Sequence, residues 1–171
     1  MLNWVQDRSV RTPLAARSLS TVAVLQVWTD EDRVPAVLDA AGRLGLDRHY
    51  RVAREVFVPP ALPRGAVKRM SLLERVDTLS PAQFRQIWQQ SHGPRVASRA
   101  GALLGYCQNH VLDRSPAAPP CDGLTELWFP DLTTMEDVLP SAPSAPEALT
   151  AQAQAFIGRI STLVMQEVCL K

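Results

Sequence analysis

Three proline clusters divide this chain and, more than any other feature, constrain what it can fold into. They lie at residues 59–65, 115–120 and 140–146. Because proline fixes φ and has no backbone N–H, such clusters exclude helix interiors and central strands and favour linkers or loops. We interpret the first cluster as a linker between a front segment, residues 21–63, and a back segment, residues 68–171. The other two are predicted to be surface loops of the back segment.

Charge and hydropathy argue against two classes of partner. The chain has 18 Lys and Arg against 17 Asp and Glu, a formal net charge of +1, so no basic surface is indicated for nucleic acid to bind. The longest uninterrupted apolar run, residues 22–25, is far shorter than the roughly 18 residues that cross a bilayer as a helix. We expect neither a nucleic-acid partner nor insertion into a membrane.

The cysteine and histidine positions argue against disulfides and metals. Cys107, Cys121 and Cys169 are widely spaced without a C-x-x-C pair, and the histidines lack H-x-H or H-E-x-x-H spacing. We therefore expect no disulfide framework, no metal site and a reducing, cytoplasmic location. Cys107 is predicted on the helix side of its strand, as buried apolar filler rather than a nucleophile. Without a G-x-G-x-x-G or Walker loop, no cofactor is expected.

The front of the chain is predicted to be a leader followed by a strand–helix–strand extension. Residues 1–20 lack a continuous apolar stretch and are interrupted by Asp7, so we expect a partly ordered leader rather than a secretory signal. Residues 21–28 are rich in β-branched side chains and are predicted to form a strand. An acidic cluster and then Pro35 follow, as at a helix start, and residues 49–58 are predicted to form the second strand.

The back segment has the element order of a ferredoxin-like unit. Its first helix carries three start signals, with Ser80 as the N-cap, Pro81 in the first turn and Gln83 at the capping-box position. The predicted strands are residues 68–75, 103–112, 124–129 and 161–170, and the predicted helices run from 80 to 92 and from 147 to 157, with a weak helical stretch at 133–139. This βαββαβ order predicts an α+β, ferredoxin-like fold, of which the front βαβ extension would be a truncated repeat.

Several stretches of the back segment resemble the EthD family. They are L-S-P-A-Q-F…W…H-G-P at residues 79–94, G-Y-C-Q-N-H at 105–110 and D-G-L-T-E-L-W-F at 122–129, followed by Glu167. The resemblance covers residues 68–171 and implies the dimeric α/β-barrel type, in which two ferredoxin-like units pack sheet against sheet around a cavity. Members include proteins that accompany a cytochrome oxidation system in ether degradation and small dehydratases of fungal polyketide pathways, so the family specifies the fold better than the reaction.

His92 is the main catalytic candidate. It ends a predicted amphipathic helix and follows Trp88 in a W-x-x-x-H-G-P context. An imidazole with an ordinary pKa near about 6.5 can accept and donate protons at neutral pH, and a helix C-terminus favours its cationic form. The resemblance implies that this histidine lines the barrel cavity. A purely structural helix-capping role is the alternative.

Strand alternation supplies the remaining candidates. Tyr106, Gln108 and His110 share one face of their strand, and Glu126 and Trp128 share one face of the next. We predict that these side chains face the barrel interior, with Tyr106 or Glu126 as the catalytic partner of His92. The predicted substrate-binding residues are Trp88, Gln108, His110 and Trp128. The alternative is that this polar alternation marks an ordinary solvent-facing sheet surface.

Together these features predict a small cofactor-independent enzyme of EthD type. It would catalyse dehydration, isomerisation or a related proton transfer on an apolar carbonyl or cyclic metabolite. The alternative is a non-catalytic binding or accessory protein of an oxidative degradation or biosynthetic pathway. Because a lone unit would expose an apolar sheet face, we expect a homodimer formed through the non-helical sheet faces of residues 68–171, with a small-molecule ligand as the other partner.

Overall fold

The computed structural model describes residues 2–6, 23–61, 63, 65–98, 103–138 and 147–168, and seven strands in these residues form one sheet. The strands are β1 (Leu2–Gln6), β2 (Ala23–Leu25), β3 (Tyr50–Val58), β4 (Val67–Arg75), β5 (Gly105–Arg114), β6 (Gly123–Phe129) and β7 (Ile157–Val168). The helices are α1 (Val34–Arg43), α2 (Pro81–Gln86), α3 (Gly93–Ala97), α4 (Leu132–Val138) and α5 (Glu147–Gln154). A 3₁₀ turn (Glu31–Arg33) precedes α1, and a π-helical turn (Ile87–His92) joins α2 to α3. Within the described part of the chain, no helix is long and apolar enough to cross a membrane.

The sheet order confirms the α+β, ferredoxin-like fold. The strands run β2-β1-β7-β4-β6-β5-β3, and every neighbouring pair is antiparallel. The four strands of the back segment occupy the centre as β7-β4-β6-β5, so that each helical crossover joins two parallel strands with a third strand between them. This is the split βαβ arrangement that the element order predicts.

The first helical region is longer than predicted. The capping box is present, because Ser80 Oγ accepts from the Gln83 backbone N–H and Gln83 Oε1 accepts from the Ser80 N–H. The helical path does not end at residues 92–94, however, since it passes through the π-helical turn into α3, where Pro94 occupies the first turn. Proline is tolerated in the first turn because backbone N–H groups there have no acceptor within the helix, so the absence of one costs no hydrogen bond. His92 therefore does not end a helix, and the dipole argument for its cationic form does not apply.

The front segment differs from the predicted βαβ repeat. Its elements occur in the expected order, β2, α1 and β3, but β2 and β3 lie at opposite edges of the sheet. Strand β3 pairs with β5, and β2 pairs with β1, which in turn pairs with β7. Strand β1 lies within residues 1–20, which were predicted to be a leader; residues 7–22 lie outside the described residues. An edge strand pairs with whichever sheet edge is available, so sequence order alone does not determine its neighbour.

Helices α2 to α5 and the π-helical turn cover one side of the sheet, called here the helix face, and the opposite side is called the far face. On the helix face, one apolar cluster contains Leu73, Phe84, Trp88, Phe156, Ile157 and Ile160. A second cluster contains Val67, Tyr106, Leu127, Phe129, Met135 and Val164. On the far face, a third cluster contains Met70, Leu72, Cys121, Leu124, Leu163 and Met165. Each large buried apolar side chain contributes about 1.5–3 kcal/mol of burial free energy, so both faces of the sheet contribute to stability.

Strand β2 and the chain that follows it cover part of the far face. Val24 packs against the third cluster, and Gln26 Nε2 donates to Glu126 Oε1 at 3.0 Å. The Arg54 guanidinium carbon lies 4.5 Å from the centroid of the Trp28 ring. Because Arg54 belongs to the edge strand β3, this contact shows that the segment after β2 crosses the far face from one edge of the sheet towards the other. The homodimer expected through this face remains a prediction.

Candidate functional site

The sheet separates the predicted site residues into two groups. In the β5–β6 ladder, Tyr106 pairs with Leu127, whereas Cys107 pairs with Glu126. Directly paired residues point to the same face, so Tyr106 lies on the helix face, while Glu126 and Trp128 lie on the far face with Cys107. The prediction that Tyr106, Glu126 and Trp128 line one cavity is wrong, and so is the helix-side placement of Cys107. Alternation along each strand is as predicted, but the phase between strands depends on the register that their connection imposes.

Four predicted residues meet on the helix face and are called here the helix-face cluster: Trp88, Tyr106, Gln108 and His110. Gln108 Nε2 donates to Tyr106 Oη at 2.6 Å and to the Trp88 backbone carbonyl at 3.0 Å. The Trp88 and His110 rings meet edge to face, with their centroids 4.9 Å apart. The structure therefore brings together three of the four predicted substrate-binding residues and one predicted catalytic residue.

A missing side chain allows Trp88 to reach the sheet. A Cβ at Gly123 would lie 2.2 Å from Cζ3 of the Trp88 ring, well inside van der Waals contact. Glycine at this position of β6 therefore lets the indole pack directly on the strand backbone. Phe57 of β3 stacks on Tyr106 with the ring centroids 5.2 Å apart. The helix-face cluster is thus held by packing on both sides.

Burial sets the protonation states in this cluster. Burial raises the pKa of Tyr106 far above its ordinary value, although hydrogen bonds to Gln108 and Trp88 oppose that shift. The phenol is therefore protonated at neutral pH, and with Gln108 donating to Oη its own O–H remains a donor. Burial, together with the charge of Arg85, lowers the pKa of His110 to about 4, so this imidazole is neutral; its Nε2 is buried without a hydrogen-bond partner in the described residues.

His92 lies in the helix layer above the same face. It is the last residue of the π-helical turn, and such turns recur at functional sites. Its Nδ1 lies 3.4 Å from Gln152 Oε1 of α5, and its ring meets Phe156 edge to face at a centroid distance of 5.3 Å. Burial lowers the pKa of His92 below its ordinary value, with an added effect from Arg95. The imidazole is neutral at pH 7 and has the protonation state of a base.

The far face carries a buried ion-pair network centred on Lys68, which is only 1% exposed. Its Nζ forms an ion pair with Glu126 and lies 3.0 Å from Glu167 Oε2. The same ammonium donates to Gln26 Oε1 at 2.5 Å and lies 4.7 Å from the Trp128 ring centroid. Trp128 Nε1 donates to Glu167 Oε2 at 3.0 Å. These contacts join β4, β6, β7 and the segment after β2.

The carboxylate of Glu126 is surrounded by donors from the protein itself. Besides Lys68, it accepts from Asn109 Nδ2 at 2.6 Å and from Gln26 Nε2 at 3.0 Å, and Arg54 Nη1 lies 3.6 Å away. Such pairing offsets the cost of burying a charge. Because the sheet lies between Glu126 and the helix-face cluster, one small molecule does not contact both.

The thiols of the described residues are not arranged for nucleophilic or metal chemistry. Cys107 and Cys121 are buried and free. Burial raises the pKa of both thiols, that of Cys121 to about 12, although Arg54 Nη2 donates to Cys107 Sγ at 3.0 Å. No group of three or more His, Cys, Asp or Glu within the described ranges is positioned to hold a metal ion.

Sequence reasoning missed the half-buried cation Arg54 and the buried cations Lys68 and Arg69. A signal was available for the last two, because they are consecutive charges at the start of the predicted strand 68–75. A charged residue in phase with buried apolar neighbours indicates a buried charge that needs a partner. What the partner is, however, depends on which strands lie beside it.

Comparison with known proteins gives one family. Residues 77–158 match the EthD domain family, which confirms the resemblance over that segment. The match runs from the turn before α2 to the start of β7 and includes His92 and the helix-face cluster. No curated protein matches the chain significantly.

Proposed function

Since residues 77–158 match the EthD domain family, we propose that this protein is a small cofactor-independent enzyme that transfers a proton on an apolar carbonyl or cyclic metabolite, in a dehydration or isomerisation. The observation that carries the proposal is that His92 and Tyr106 lie on the same side of the sheet, where the Phe156 ring that meets His92 packs in one cluster with Trp88. A half-buried neutral histidine, His92, supplies a base, and a buried protonated phenol, Tyr106, supplies a hydrogen-bond donor. Base and donor are the two groups that removal of a proton beside a carbonyl requires.

The roles follow from the contacts of each residue. With its Nδ1–H donating to Gln152 Oε1, His92 presents the Nε2 lone pair. Nε2 takes a proton from the carbon beside the substrate carbonyl, and the C–H electron pair moves to form an enolate. Tyr106 O–H donates to the enolate oxygen, while Gln108 holds Tyr106 in place.

The same two groups complete either reaction. In an isomerisation, the imidazolium of His92 returns its proton to a different carbon of the enolate. In a dehydration, it gives that proton to the departing hydroxyl group, the enolate electron pair forms the new carbon–carbon double bond, and water leaves. Trp88 supplies an apolar wall for the ring of the substrate.

The accessory-protein alternative rests on a different observation. Apolar side chains near the edge of the far face are exposed, among them Val27, Trp28 and Val56. Exposed apolar groups of this size are a common feature of protein-binding surfaces. A protein that binds a metabolite for another enzyme would hold the ligand without exchanging its protons.

Proton exchange distinguishes the two functions without knowledge of the natural substrate. A panel of cyclic ketones and 1,3-diketones is incubated with the protein in D₂O, and deuterium incorporation beside the carbonyl is followed by NMR. We expect the protein to accelerate exchange for some members, His92→Ala to reduce that acceleration by about 10²–10⁴-fold, and His49→Ala, the matched histidine control, to retain it. Ligand binding without exchange in the unmodified protein would favour the accessory role.

A further inference from the structure

Arg69 is a buried cation on the helix face. It is 7% exposed, and its ladder partners on β6 and β7 are Leu127 and Val164. Leu127 also pairs with Tyr106 on β5, so Arg69 points to the same face as the helix-face cluster. Residues from the helices cover this face, and both ladder partners of Arg69 are apolar.

The guanidinium has no counter-charge among the described residues. Its Nη2 donates to Thr162 Oγ1 at 3.3 Å, and Thr162 Oγ1 lies 3.0 Å from Ser71 Oγ. Its Nε is buried without a hydrogen-bond partner in the part of the chain that the structure describes. Neither hydroxyl carries charge. Burial lowers the pKa of Arg69 to about 10, which still leaves it cationic at pH 7.

Lys68 shows how this protein treats a buried cation that has a structural role. It is the preceding residue of β4, and it meets the carboxylates of both Glu126 and Glu167 on the far face. An uncompensated buried charge costs several kcal/mol, so the state of Arg69 is unfavourable unless an anion arrives from outside. A planar guanidinium with N–H groups to spare matches the two oxygens of a carboxylate.

The ladder register places Arg69 and Tyr106 on the same face of the sheet, with one strand between them. The two residues lie on alternate strands, each paired with Leu127 of the strand between them. Strands are spaced about 4.8 Å apart, so the two backbones are separated by roughly 10 Å. The Leu127 side chain lies between them on this face, so a ligand that contacts both Arg69 and Tyr106 would lie over Leu127.

We propose that Arg69 binds a carboxylate of the substrate on the helix face, so that the metabolite acted on is an apolar carboxylic acid. This inference rests on the proposed function, because it names the class of substrate for the same face. The ligand presents its carboxylate to Arg69 and its carbonyl to Tyr106. Arg69 is a single cation whose ladder partners, Leu127 and Val164, are apolar. Such a site suits a ligand with one negative charge and an apolar body better than it suits free phosphate.

The test uses binding and does not require turnover. Benzoate is the probe, benzamide is its neutral analogue of the same shape, and inorganic phosphate is an anion without an apolar body. Dissociation constants come from titration calorimetry and from the ligand-induced rise in melting temperature of the full chain. We expect benzoate to bind at least about tenfold more tightly than benzamide, and phosphate to bind more weakly than benzoate.

Two variants test the assignment to Arg69. Arg69→Met should remove the preference for benzoate and leave benzamide binding unchanged, while Arg159→Met, which removes an exposed arginine of β7, should retain it. Arg69→Met should also melt no lower than the unmodified protein without ligand, because replacing a buried unpaired charge by an apolar side chain is neutral or stabilising. Equal affinity of the unmodified protein for benzoate and benzamide overturns the inference, as does an unchanged preference in Arg69→Met. Phosphate binding as tight as benzoate binding also overturns it.

The outcomes separate this inference from the proposed function. Benzoate selectivity that depends on Arg69, without deuterium exchange on any carbonyl compound, supports the carboxylate site and contradicts the enzyme. Exchange on neutral ketones that depends on His92, without benzoate selectivity, supports the enzyme and contradicts the carboxylate site.

Discussion

Lys68 and Arg69 are consecutive residues of β4, and both are buried, but they meet opposite electrostatic environments. Lys68 lies on the far face in contact with the carboxylates of Glu126 and Glu167, whereas among the described residues Arg69 has only the hydroxyl of Thr162 as a side-chain partner. The alternation of a strand sends neighbours to opposite faces, so one step along the chain separates a compensated charge from an uncompensated one. The first fits a structural role, and the second is the basis of the proposed carboxylate site.

The far-face network should contribute strongly to stability. Glu126→Gln keeps the side-chain shape but removes a buried charge paired with Lys68, and removing one member of a buried pair costs about 3–5 kcal/mol of unfolding free energy. Asp39→Asn is the matched control, because it removes the exposed ion pair with Arg43, and such pairs contribute about 0–1 kcal/mol. Urea unfolding measures both. A loss of stability for Glu126→Gln no larger than that of the control would contradict the structural role of the network.

Gly123 should be a position where a single methyl group is not tolerated. Gly123→Ala would place its Cβ 2.2 Å from the Trp88 ring, and overpacking of this kind costs about 1–3 kcal/mol. Since Trp88 would move, its fluorescence should change as well. Gly42→Ala is the control, because a Cβ there meets nothing within 4 Å and lies in α1, where alanine stabilises a helix by about 0.5–1 kcal/mol relative to glycine. Opposite signs in thermal unfolding are expected, and equal effects would contradict the close packing.

His110 should make the protein less stable in mild acid. Burial lowers its folded-state pKa to about 4, against about 6.5 in an unfolded chain. Between these values the unfolded chain binds a proton that the folded protein does not, so the free energy of unfolding falls as pH falls across that window. The difference between these two pKa values corresponds to a loss of unfolding free energy on the order of 3 kcal/mol across the window.

The variant His110→Phe keeps an aromatic ring against Trp88 and removes the titrating group. Its stability should fall less steeply than that of the unmodified protein between about pH 6.5 and pH 4, the window set by the two pKa values. Above pH 7 the two proteins should respond in parallel. Parallel curves across the whole range would show that His110 does not titrate as its burial requires.

The pH dependence of the proposed reaction should follow His92. Burial lowers the pKa of this base below its ordinary value, so the neutral, active form persists through neutral pH and is lost only in acid. The deuterium-exchange rate should therefore be flat near pH 7 and fall on the acid side with a midpoint below about 6.5. An acid midpoint at or above that value would assign the limb to another group.

Assembly is tested by an exposed apolar residue of the far face. We expect a homodimer through this face. Val56 pairs with Cys107, which places it on the far face, and it is exposed. Val56→Asp should shift the mass measured by light scattering from dimer to monomer, because a charge in an apolar contact is costly. Leu44→Asp, at an exposed position just after α1, should leave the mass unchanged. If the unmodified protein is a monomer, the homodimer prediction is wrong, and the segment after β2 covers enough of the far face for the protein to exist alone.

Local signals in the sequence determined the fold class and most elements of the back segment. The capping box at Ser80 and Gln83 depends on residues three positions apart, and the strand patterns of β4, β5 and β6 depend on alternation within each strand. The motifs around His92 and Tyr106 indicated the resemblance to the EthD family, which the match over residues 77–158 confirms, because a motif is a property of residues close together in the chain.

Tertiary structure decided which residues share a site. The register between β5 and β6 sends Tyr106 and Glu126 to opposite faces, and a shift of one residue would have reversed that result. The four central strands leave two edges unpaired, at β7 and at β5. These edges decide that β1 lies beside β7 and that β2 and β3 lie at opposite ends of the sheet. Pairing between strands joins residues far apart in the chain, so no local pattern records it. Lys68 and Arg69 are likewise adjacent in the sequence, but only the folded sheet decides their partners. It brings carboxylates to Lys68 and leaves Arg69 without a counter-charge among the described residues.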